Sequence, residues 1–279
     1  SVLLLIVYLV ARPANYQILV SGPMIASFLA AVAALSLFKR VDWLSNAAKA
    51  SGRIWFAFRY GFWSFIPHVM LSLTTIGTYA LIRRGVGADA AVGQFSVAVV
   101  LISTAVLPLN MVIPILFNAW SHRDAGDMRQ QSFAQLSHLG TLISIVGMAL
   151  GISLARPATA LLFGHDFMES VVVTQTMLAG IFAQYHSRLS SALLLAIGKA
   201  DSVAVGASVR AVVIFGLLVG GLGPSITGAA LAWTLSEFAA AGYMAFKLIK
   251  LTGWPVLMIL GLSPGWISSN LAMIRTYRR

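Results

Sequence analysis

One stretch constrains this chain more than any other: residues 59–84, RYGFWSFIPHVMLSLTTIGTYALIRR. From residue 62 to 82 the run is 21 residues long, and His68 is its only side chain that titrates near neutral pH. At 1.5 Å per residue such a helix is about 31 Å long, close to the thickness of a bilayer's hydrocarbon core. The stretch therefore predicts a membrane-spanning helix, closed by Arg83 and Arg84. Polar residues recur along it as Ser64, His68, Ser72, Thr75 and Tyr79, which at 100° per residue fall within an arc of about 80°. Unsatisfied hydroxyls and imidazoles are costly in hydrocarbon, so the stripe is expected to face other helices or water. Pro67 lacks a backbone donor and predicts a kink beside His68. On this reading the helix lines a polar path, and the remaining spans are arranged around it.

Composition extends the argument to the whole chain. Apolar residues make up 59% and charged residues 10%, against about 25% charge in a soluble domain. The mean hydropathy is +0.87. The apolar runs are long and continuous, unlike the alternating ten-residue segments of a membrane barrel. The chain reads as an all-α, polytopic membrane bundle. It has no cysteine, which excludes disulfides and thiolate metal sites. The net charge of +11 reports loop topology and attraction to anionic headgroups. No basic–aromatic patch points to nucleic acid.

Complete spans are predicted at 16–38, 61–82, 96–118, 136–155, 171–197, 203–222 and 227–248. Residues 1–10 form an apolar run too short to cross, read as the stump of a truncated helix and so as a sign of a longer protein. Residues 1–38 would then be the end of a preceding bundle, and 39–60 a basic cytoplasmic linker. Within that linker Trp43, Leu44, Ile54, Trp55 and Phe58 interleave with charges, the pattern of an amphipathic interfacial segment or of a plain connecting loop. The bundle proper covers 61–250, with 158–163 too short to cross on its own. The tail, 251–279, is cytoplasmic or interfacial, with an amphipathic helix expected around Ile267, Leu271 and Ile274. When the loops are assigned to alternate sides, 13 of the 19 Lys and Arg fall on one side, four on the other and two within spans. Positive charge accumulates on the cytoplasmic side, which places the linker and the tail there.

Charged or titratable residues inside spans are functional candidates. Five qualify: His68, His186, Arg188, Arg210 and Glu237. Arg188 and Glu237 fall near the midplane, and Gln184, Ser187 and Ser191 share the face of Arg188, whereas His186 points elsewhere. Arg210 and Glu237 lie at similar depth on consecutive antiparallel helices, so they could form a structural ion pair. The candidate cavity set is Arg188, Arg210, His68, Glu237, Gln184, Ser64, Ser72 and Thr75. Two GxxxG pairs, Gly147/Gly151 and Gly216/Gly220, are expected to serve helix packing. Hydrolase, phosphate-loop and metalloprotease signatures are missing, and no catalytic, metal or cofactor residue is assigned.

Six pieces carry a family resemblance in their order: RYGFWSFIP (59–67), AVGQFSVA (91–98), LPLNMVIPILF (107–117), LLFGHDF (161–167), LLLAIGK (193–199) and GLGPSITGAALAW (221–233). With the matching hydropathy, the chain resembles the C-terminal half of polysaccharide (lipid-linked oligosaccharide) flippases of the Wzx/PST type, in the MOP exporter superfamily. The family has two six-helix bundles, and most of the first has no counterpart here. The resemblance implies a bacterial inner-membrane transporter, not an enzyme, whose halves enclose a cavity opening alternately to each side. The implied cargo is a polyprenyl-pyrophosphate-linked glycan, and the implied partners are the missing N-terminal bundle, membrane lipids and other polysaccharide-assembly proteins. The family has no fixed cation motif, so no residue is carried over from it. The alternatives are a multidrug exporter of the same superfamily, which would favour carboxylates, and a membrane-embedded polymerase or acyltransferase, which would show large exported loops or an interfacial His, Asp and Arg cluster.

The charge bias generates a topology test. In this cysteine-free chain, a single cysteine at Ser225 should react with an impermeant thiol reagent applied to whole cells. One at Ser45 should react only after the cells are opened; the reverse pattern inverts the orientation.

Overall fold

The computed structural model describes residues 47–87, 89–121 and 126–263. The chain divides into two compact units, Ser1–Phe56 and Ala57–Arg279. Of the first unit only 47–56 are described, and they are helical. The expected stump, the span at 16–38, the linker up to residue 46 and the interfacial helix expected around Ile267, Leu271 and Ile274 lie outside the described residues.

The described residues form helices without strands: α1 (Ala47–Val86), α2 (Asp89–Ser121), α3 (Gly126–Phe163), α4 (Ser170–Leu178), α5 (Ile181–Ala196), α6 (Ala200–Gly220), α7 (Ile226–Thr252) and the short α8 (Val256–Ile259), with one 3-10 turn at His165–Phe167. Four are long and apolar enough to cross a membrane, over Ala57–Val86, Asp89–Ser121, Arg129–Phe163 and Ala200–Gly220. Several boundaries differ from the sequence expectation. Residues 47–60, read as linker, are the first turns of α1. Residues 158–163, read as a separate short piece, are the end of α3, which continues through Pro157. Pro67, Pro108 and Pro114 likewise lie within unbroken helices.

The expected single span at 171–197 is two helices. At the joint the Gly180 N–H bonds to Met177 O at 3.0 Å instead of continuing the i−4 ladder. That leaves the Thr176 carbonyl without its intrahelical donor, and the Thr234 hydroxyl donates to it at 2.9 Å. A free carbonyl in lipid would cost several kcal/mol, on the order of the price of an unmade buried hydrogen bond. The break is tolerated because α7 covers it.

Two apolar layers hold the bundle. One contains Ile82, Phe95, Val173, Met177, Ile214, Leu218, Ala229 and Trp233. The other contains Trp120, Phe133, Leu189, Leu193, Val203, Met244, Leu248 and Ile259. Both draw on α2, α6 and α7 at different heights, so the residues between them in sequence, around 184–188, 210 and 237, form a middle layer. Polar clamps fix the ends. Gln94 donates to Asp166 O at 2.6 Å and accepts from Ser170 N at 2.9 Å, which ties the turn before α4 to α2. Ser225 caps α7 by accepting from Gly228 N. Beyond α7, Ser137 and Thr141 hydroxyls donate to Ile259 O and Leu260 O, which seats the chain after α8 against α3.

Of the GxxxG glycines, Gly151 packs on Leu178, whereas Gly147, Gly216 and Gly220 have open space where a side chain would start. Close packing instead needs Gly140, where an added Cβ would stand 1.7 Å from the Tyr185 ring, itself held by a hydrogen bond to Leu136 O. Gly140→Ala should therefore lower stability by about 1–3 kcal/mol through overpacking. Gly216→Ala should leave it unchanged or raise it by up to about 1 kcal/mol through helix propensity. Thermal unfolding in detergent separates the two.

Candidate functional site

The middle layer contains a pocket of about 150 Å³. Pro67, Leu71 and Thr74 of α1 form one wall; Gln184, Ser187, Arg188 and Ser191 of α5 form the second. Arg210 of α6 and Glu237 of α7 complete it. The polar face of α5 arises from its own spacing, because residues 184, 187, 188 and 191 recur at three- and four-residue steps. α6 and α7 approach closely at Gly206, where a Cβ would lie 2.2 Å from Met244 Cε. One turn further on, that approach brings Arg210 to Glu237.

The ion pair is direct: Arg210 Nη2 lies 2.9 Å from Glu237 Oε1. The Glu237 side chain is 3% exposed and that of Arg210 14%. Trp233, one turn before Glu237, places its ring 4.6 Å from the Arg210 guanidinium carbon. Gln184 Nε2 donates to the same carboxylate oxygen at 3.2 Å. Glu237 is thus held by a cation and an amide, and Arg210 is sandwiched between a carboxylate and an aromatic face. Gln184 Oε1 and Arg210 Nε are buried with no hydrogen-bond partner.

Arg188 is placed differently. Its Nη1 donates to Asn110 Oδ1 of α2, and no carboxylate among the described residues lies within ion-pair distance of it. A neutral amide orients the guanidinium and leaves its charge uncompensated. Of the three charges in the pocket, Arg210 and Glu237 pair directly and Arg188 does not join them.

Four of the sequence candidates, Arg188, Arg210, Glu237 and Gln184, therefore meet in one place. The other four do not join them. His68 and Ser72 are exposed on α1, and the His68 ring nitrogen Nδ1 lies 3.3 Å from Ser64 O in its own helix. Thr75 donates to Leu71 O at 2.9 Å. That bond satisfies the Thr75 hydroxyl within its own helix, without water or a neighbour. The inward face of α1 instead carries Thr74 and Thr78, which satisfy themselves in the same way. His186 turns to α3, where its Nε2 is 3.0 Å from the Thr141 hydroxyl. Asn110 and Thr74 escaped the sequence reading. Asn110 had a signal, a lone amide between Pro108 and Pro114 in an apolar run; Thr74 had none beyond its neighbours.

The chain matches no family model, no curated protein and no solved structure.

Breaking one side of the buried pair should be severe. Arg210→Ala or Glu237→Ala should each cost about 3–5 kcal/mol, because the remaining charge is buried without its partner. Arg210→Met combined with Glu237→Leu should cost less than either single change. A double-mutant cycle by detergent unfolding checks this, and additive losses would refute the coupling.

Proposed function

We propose that this chain is the C-terminal six-span bundle, with the end of a preceding bundle, of a flippase-type transporter in the bacterial inner membrane. Its cargo is a polyprenyl-pyrophosphate-linked glycan, carried across by alternating access. Six crossing segments follow if the broken α4–α5 unit and α7 also span, as their burial between the long apolar helices favours. The observation that carries the reading is Arg188, a cation in a mid-bundle pocket held by a neutral amide rather than by an acid. Guanidinium groups recognise phosphate oxygens with paired hydrogen bonds. Ser187 beside it supplies a hydroxyl for a second polar group, while the Ser191 hydroxyl donates to Ser187 O at 2.7 Å and keeps only its acceptor side for one. At about 150 Å³ the pocket is below the roughly 300–1,000 Å³ of pockets that enclose whole drug-sized ligands. It therefore suits the headgroup of a cargo whose glycan lies outside it. The organic-cation alternative loses support here, since the one carboxylate in the pocket is already neutralised by Arg210.

The Arg188–Asn110 bond also braces α2 against α5, and that role must be separated from anion binding. Arg188→Gln retains an amide donor without charge, whereas Arg188→Lys retains charge without the fork. In cells that depend on this transporter, Arg188→Lys should keep part of the glycan export and Arg188→Gln should lose at least about tenfold, the loss expected of a charge-assisted contact. Equal export from a well-expressed Arg188→Gln protein would reduce Arg188 to a brace.

A further inference from the structure

A second hollow lies on the other side of the Arg188–Asn110 bond. α2 and α3 each pack on α5 far more extensively than on one another. Between them is a cleft of about 280 Å³, closed at its base by Ile181 and Tyr185 of α5. Its walls are almost wholly aliphatic. The Tyr185 hydroxyl is engaged with Leu136 O at 2.8 Å, so it offers no donor to the interior. Apolar cavities of about 150 Å³ stay dry and accept small hydrocarbons; this one is larger. Its lips, Val112 at 40%, Leu139 at 48% and Ile143 at 58% exposure, open onto the apolar outer face of α2 and α3. In a bilayer that face meets lipid chains.

The cleft and the pocket take their linings from neighbouring positions on α5. Ile181, Tyr185 and Arg188 fall within an arc of about 60° on α5. Asn110, which holds Arg188, follows Pro108 and Leu109 of the cleft wall. We propose that the α2–α3 cleft is the seat of the cargo lipid's hydrocarbon chain, with the anionic head of the same molecule at Arg188; this rests on the anion-binding reading of Arg188. Membrane chains gain no hydrophobic energy by leaving lipid for protein. Selection of the cargo's tail comes from tethering: a head held at Arg188 raises the local concentration of its own chain at the cleft.

The experiment uses the full chain in phosphatidylcholine nanodiscs and a polyprenyl pyrophosphate with a photoreactive tail. Crosslinks should concentrate on the facing surfaces of α2 and α3. Gly147 lines the cleft with open space where a side chain would begin, so Gly147→Leu fills it without backbone strain. That variant should cut cleft labelling by about tenfold, within the reach of tethered binding, and leave inorganic pyrophosphate binding unchanged. Arg188→Ala should reduce both. Ile143→Trp, at the exposed lip, replaces Gly147→Leu if the latter does not fold. Even labelling of all lipid-facing helices overturns the inference, as does equal labelling by a photoreactive phosphatidylcholine, while Arg188-dependent pyrophosphate binding preserves the functional reading. A parent protein that binds neither probe overturns both.

Discussion

The contact between Arg210 and Glu237 sets the conditions for everything around it. Two charges in the middle of an apolar bundle each carry a desolvation cost of several kcal/mol, on the order of the whole stability of a domain. They are tolerated only where geometry lets them meet, at 2.9 Å. That geometry requires α6 and α7 to touch, which Gly206 and Met244 allow, and it requires apolar layers on both sides to keep the pair in register. Gln184 joins the same carboxylate and thereby fixes the rotation of α5 about its axis. Once α5 is fixed, Arg188 has one direction left, toward α2 and Asn110. The placement of the free cation is thus a consequence of the paired one.

This order of dependence separates two arginines that look alike in sequence. Arg210 has a charge partner, an aromatic face and little exposure, which describes a group committed to structure. Arg188 has a single amide acceptor, worth about 1.5–3 kcal/mol net for a bond with one charged partner, where an anion would add a second charge and a second bond to its fork. An anion offers that arginine more than Asn110 does.

How much of this was legible depends on which forces were read. Hydropathy and length located the helices, because the bilayer imposes both on any span. Depth counting put Arg188 and Glu237 near the midplane with Arg210 at a depth similar to that of Glu237, and the three- and four-residue spacing put Gln184 beside Arg188. On α1, Thr75 of the stripe and Thr74 and Thr78 beside it each bond a carbonyl one turn back, a way of satisfying a hydroxyl that the spacing of polar residues does not reveal. The joint at Gly180 was hidden because Thr176 and Thr234 are 58 residues apart, and no local pattern announces a hydroxyl supplied from another helix. The cleft was illegible in principle. A hollow is what remains when α2 and α3 both prefer α5, and a sequence encodes contacts more directly than gaps.

The joint between α4 and α5 has a mechanical meaning. A continuous helix resists bending because each degree of tilt stretches backbone hydrogen bonds. Here the ladder is already interrupted, and the Thr234 hydroxyl rather than a peptide N–H satisfies the orphaned carbonyl. The 16-residue segment that carries Gln184 and Arg188 begins just past this interruption, so bending at the joint would strain one side-chain contact in place of a peptide hydrogen bond. The stiffness of the pocket wall is then set by threonine chemistry on a neighbouring helix, not by the helix that forms the wall.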